Sequence, residues 1–107
     1  MESSNLFDNI PDALPEELFT QLLDVPGVRI ERIVSWGQCS QEEFWYDQEQ
    51  HEWVLLIEGS AAVLFEGDNE PTELLPGSFL QIPAHRRHRV VSTDSEKRSV
   101  WLAIHYG

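Results

Sequence analysis

From Val28 onward the chain breaks into eight short extended runs, each closed within a few positions by turn residues. They are Val28–Ser35, Glu43–Asp47, Glu52–Glu58, Ala61–Glu66, Thr72–Leu75, Phe79–Pro83, Arg87–Ser92 and Ser99–Tyr106. Gly67-Asp68-Asn69 and Pro76-Gly77 punctuate them as turns. So many short strands in so little chain read as an all-β sandwich or barrel. Ahead of them, the first ten residues read as a mobile arm. Pro15–Leu23 reads as one short helix: proline and acids fill its first turn, and Leu18, Phe19, Leu22 and Leu23 share an apolar face. The expected organisation is an N-terminal arm and short helix over 1–27, then a barrel over 28–107, with no repeat or linker.

A chain of 107 residues can bury one core but not two. No apolar run reaches the roughly 18–20 residues that span a bilayer, and Met1-Glu2-Ser3-Ser4-Asn5 lacks the basic and apolar regions of a secretory signal. The single cysteine, Cys39, cannot form an internal disulfide, which fits a reducing compartment. A cytoplasmic protein is the expectation. The net charge of −12 argues against a nucleic-acid partner, because phosphate binding needs clustered cations that the chain largely lacks. Three of the seven Lys/Arg nonetheless fall together at Arg86, Arg87 and Arg89. Arg87 is therefore a candidate for meeting an anionic group on a small ligand.

Candidate chemistry gathers at the ends of two runs. His85 and His88 follow the apolar stretch Phe79–Pro83, and His51-Glu52 opens another. Alternation along a strand sends Glu52, Val54 and Leu56 to one face, and Trp53, Leu55 and Ile57 to the other. If the first set faces inward, the second needs cover, and a partner subunit would supply it. His88 leads the phase His88-Val90-Ser92. Glu52 and His88 are thus the pair most expected to meet inside. His51 is out of phase with Glu52, and His105 reads as a structural histidine. The tryptophans Trp36, Trp45, Trp53 and Trp101 read as core and interface anchors. Cys39 has no neighbouring histidine and reads as an ordinary small residue.

The segment from about Gly37 to Ser92 resembles the cupin superfamily, in particular its small single-domain barrels. The family's second motif is matched by Gly77, Pro83 and His88, with His85 in place of an inner glycine. The first motif is matched by Glu52 and Gly59. Its histidine pair is replaced by Trp45 and Asp47, or by Tyr46 and Gln48. The resemblance implies a jelly-roll β-barrel. It also implies a site for a small-molecule ligand within it.

Glu52, His85 and His88 would form a set of two imidazoles and a carboxylate for a divalent metal such as Zn, Fe, Mn or Ni, with Asp47 adding a further oxygen. Tyr46, Gln48 and His51 are then candidate ligand contacts beside Arg87. Two alternatives stand next to a metal-binding cupin. One is a metal-free ligand-binding or isomerase-like barrel, using His, Tyr and carboxylate groups for proton transfer. The other is a non-catalytic homodimer whose apolar strand face forms the interface.

Overall fold

In the computed structural model, which describes all 107 residues, the chain forms eight strands in two antiparallel sheets. The strands are β1 (Leu18–Val25), β2 (Val28–Ser35), β3 (His51–Glu58), β4 (Ala61–Phe65), β5 (Thr72–Leu74), β6 (Phe79–Ile82), β7 (His88–Thr93) and β8 (Ser99–Tyr106). One sheet runs β1-β2-β8-β3-β6 and the other β5-β4-β7. The result is the all-β jelly-roll barrel expected from the sequence. No helix is present, so none is long and apolar enough to cross a membrane.

The short helix expected over Pro15–Leu23 is not there. Leu18–Val25 is a strand, paired from Leu18↔Val34 to Val25↔Val28 with an irregularity between Gln21 and Leu23. The cause is the two-residue turn Pro26-Gly27, in which Gly27 takes φ 83°. Proline followed by a glycine at positive φ closes a hairpin at little steric cost and hands β2 a ready partner. One hydrogen-bonded strand along β2 outweighs the weak helical preference of nine residues. The expected run Glu43–Asp47 also fails as a strand. Only Tyr46 bridges, to His88, through paired backbone hydrogen bonds of 2.7 and 3.2 Å.

The inward phase is as alternation required. Val54, Leu56, Trp101 and Ala103 from the larger sheet meet Ala61, Val63 and Leu74 from the smaller one. Burial of such side chains contributes about 1.5–3 kcal/mol each for the larger ones, and it is the main term holding the sheets together. The closed end is sealed by a close approach at Gly59, where φ is 90° and a Cβ would lie 2.6 Å from the Ser99 Cα. Ser99 Oγ there accepts from Ser60 N and donates to Ser60 O.

Outside the larger sheet, Arg32 is buried and its guanidinium donates to the carbonyls of Leu6 and Asp8. The arm is thereby tied down across the sheet. Trp53, Leu55 and Ile57 lie half-buried on that outer face, and Trp53 packs against Phe79 with ring centres 5.5 Å apart.

Candidate functional site

The sheets separate at one end around a cavity of about 80 Å³. Its position follows from strand phase. Glu52 and Val54 on β3, Glu31 and Ile33 on β2, and Trp101 and His105 on β8 all project from the larger sheet. His88 and Val90 on β7 project from the smaller one, and Tyr46 and Gln48 enter from the preceding loop. Register places Glu52 directly opposite His105, and His105 directly opposite Arg29. Polar side chains therefore form a row across three adjacent strands, facing His88 and Tyr46.

Glu52 and His88 meet, as the phase argument required. Glu52 is 8% exposed and His88 6%. Their Oε1 and Nε2 atoms are 3.7 Å apart, within ion-pair reach when His88 is protonated but too far for a hydrogen bond. His88 Nδ1 lies 2.8 Å from the Arg86 carbonyl oxygen, which can only accept. The proton of a neutral His88 is thereby assigned to Nδ1, leaving Nε2 as a basic lone pair beside Glu52 and the cavity. Tyr46 stacks on the His88 ring at 5.5 Å and fixes its plane. Burial pushes the Glu52 carboxyl above the usual carboxylate range, against the opposing pull of His105 and His88. No protein donor satisfies that carboxylate.

Three polar groups of the wall have no counterpart among the expected site residues. His105 is 3% exposed, and its Nε2 sits 3.1 Å from Glu31 Oε1. That hydrogen bond, opposed by burial, holds the Glu31 carboxyl below its ordinary value. Glu17, just ahead of β1, reaches the same cavity and accepts from Ser35 Oγ at 2.5 Å. The signal for Glu31 and His105 was present in the inward phases Arg29-Glu31-Ile33 and Trp101-Ala103-His105. Glu17 was hidden by the helix expectation. Tyr46 is pushed above the usual phenol range by burial and then by Glu17, Glu52 and Glu31.

Tyr46 and Gln48 do line the cavity, whereas four other candidates point elsewhere. His85 takes φ 63° at the position where the motif carries glycine, and its backbone N–H is held by the Gln48 carbonyl. Its ring turns to Asp47, with Nδ1 2.7 Å from Oδ1, in an exposed pair. His51 Nδ1 accepts from the Ala84 backbone N–H, and its ring packs on Tyr106. Arg87 is occupied by Glu66 at 2.7 Å and lies over the Trp45 ring.

No group of three or more His, Cys, Asp or Glu side chains is placed to hold a metal ion. Glu52 and His88 face the cavity while Asp47 and His85 pair outside its wall. These residues do not fit the divalent-metal centre expected from Glu52, His85, His88 and Asp47, since such sites need converging nitrogen and oxygen ligands.

The geometry has close parallels. A protein of Ralstonia eutropha, provisionally described as a mannose-6-phosphate isomerase, superposes with a TM-score of 0.94 at 47% identity over 99% of this chain and 98% of its own. A cupin superfamily protein of Desulfitobacterium hafniense superposes at 0.74 and 21% identity over 91% and 83% of the two chains. A Thermus thermophilus protein does so at 0.78 and 18% identity over 99% and 97%, and these two show the fold alone. No curated protein matches the chain. Residues 34–105 match the family model for the cupin domain. With two-thirds of its length under that model and a near-complete relative at 47% identity, the chain belongs to the cupin family.

Proposed function

We propose that this cupin binds a short hydroxy-carbonyl compound of the sugar type and interconverts its aldose and ketose forms by proton transfer, without a metal. One observation carries this: a carboxylate 8% exposed, accepting no protein hydrogen bond, opens on a cavity beside a free imidazole lone pair. A base raised toward neutrality by burial suits abstraction of a carbon-bound proton. Glu52 takes the proton from the carbon bearing the hydroxyl, and the electron pair moves to form the carbon–carbon double bond of an enediolate, leaving the negative charge on the former carbonyl oxygen. His88 Nε2 relays the hydroxyl proton between the two oxygens. Return of the carbon proton from Glu52 to the former carbonyl carbon completes the exchange, so atoms and electrons balance.

Tyr46 and Gln48 supply hydrogen bonds that orient the chain of hydroxyls. The name of the Ralstonia eutropha relative belongs to the same reaction class. The phosphate in that name suits this wall poorly, because three carboxylates and no Lys or Arg line it. A cavity of about 80 Å³ is smaller than most small-molecule pockets and admits the reacting end of an open chain.

The test is conversion of unphosphorylated aldoses of three to six carbons, followed by proton NMR with and without chelator. Conversion above the buffer rate, unchanged by chelator and cut about 100-fold or more in Glu52→Gln, is the expected result. Conversion that survives Glu52→Gln, or that stops on chelation, overturns it. A homodimer covering Trp53 and the 57% exposed Phe79 is compatible with this activity, and the molar mass in solution tests it.

A further inference from the structure

Carboxylates reach the cavity from three separate elements: Glu17 ahead of β1, Glu31 from β2 and Glu52 from β3. Glu31 faces the His105 imidazole at 3.1 Å. Glu17 accepts from a serine hydroxyl, a neutral partner that leaves its charge uncompensated. Glu52, more than nine-tenths buried, opens into the same space with no hydrogen-bond donor of its own. Arg29 lies in register beyond His105 and is not part of the lining, although its charge reaches Glu31 and Glu52 from behind it, so no Lys or Arg side chain lines the cavity. Even with both imidazoles protonated, the three carboxylates outnumber them when ionised. After burial, Glu17, Glu52 and Glu31 each push the Tyr46 phenol upward. Phe19, Tyr46 and Trp101 add aromatic surfaces, which attract cations through their faces. The lining is acidic and partly aromatic and carries no Lys or Arg side chain.

We propose that the ligand carries a protonated primary amine, seated toward Glu17 and Glu31 while Glu52 faces the reacting carbon. This rests on Glu52 and His88 being the acid–base pair. An ammonium group offers three donors that need no converging ligand sphere, and so suits dispersed oxygens where a metal ion does not. The substrate class narrows to short hydroxy-carbonyl compounds that carry an amino group.

The experiment compares serinol and glycerol, which differ only in an ammonium for a hydroxyl, as probes of the full-length protein at neutral pH. Binding is read from NMR shifts of the Tyr46 and His88 rings and the Trp101 indole. Serinol is expected to bind about tenfold more tightly than glycerol, the difference between charged and neutral hydrogen-bond partners. Glu17→Gln and Glu31→Gln should each shrink that preference, with unfolding curves checking that each variant is folded. Equal binding of the two probes, a glycerol preference, or no serinol binding overturns the proposal. So does a preference that survives both substitutions. The aldose assay reports separately on Glu52 and His88, so conversion without amine selectivity would remove this inference and leave that function standing.

Discussion

Two histidine–carboxylate pairs sit near the same end of the barrel and invert the usual meaning of distance. His85 and Asp47 are 2.7 Å apart with side chains 65% and 48% exposed. Glu52 and His88 are 3.7 Å apart with side chains 10% and 7% exposed. The shorter pair lies in water, where screening and side-chain entropy leave an ion pair worth about 0–1 kcal/mol. The longer pair lies where water is scarce, and burial there pushes the Glu52 carboxyl upward against the pull of His105 and then His88. Burial, more than separation, marks the pair that can do chemistry.

The largest break in this comparison should come from His88→Ala. It leaves Glu52 buried without its facing imidazole, at a cost of about 3 kcal/mol in urea unfolding at neutral pH. A loss no greater than that of His85→Ala would erase the distinction between the pairs. Next comes Glu31→Ala, which strands the buried His105 Nε2 and should cost about 1–3 kcal/mol. The Glu31 carboxyl is held below its ordinary value of 4.5, so its contribution is present above that pH. It is lost as pH falls through the lower folded value. The gap between variant and parent should close in acid.

Glu52→Gln should act in the opposite direction. Its folded carboxyl lies above 4.5, so ionisation opposes folding, and parent stability falls as pH rises through the folded value. The amide should raise stability at neutral pH by about 1 kcal/mol, roughly 4–8 °C in melting temperature, with the gain vanishing below about pH 4.5. A neutral-pH loss would show that the carboxylate has a partner. The smallest effect belongs to Asp47→Asn, expected within about 0.5 kcal/mol of the parent by the same unfolding measurement.

The fold was legible because alternation and turn chemistry are local. Glu52-Val54-Leu56 and His88-Val90 lie on the phases their spacing implied, and the Gly59 match sits at a close backbone approach. The first hairpin was not legible as such, since Leu18, Phe19, Leu22 and Leu23 also satisfy a helical face. Only pairing with β2 decides between the two. Within the site, strand residues were placed and loop residues were not. His85 follows a turn, and no periodicity fixes its direction. Its positive φ sends it to Asp47 outside the cavity wall. Glu31 and His105 occupy inward phases, but their meeting depends on the β2–β8 register, a long-range property of the sheet.

Titration of the Glu52 carboxyl by carbon NMR in the full-length protein tests the central claim most directly, since every role given to Glu52 depends on a buried carboxylate that accepts no protein hydrogen bond. The expected result is a midpoint above 4.5 that rises further in His88→Ala, because the favourable imidazole is removed. A midpoint at or below 4.5, unmoved by His88→Ala, would contradict it.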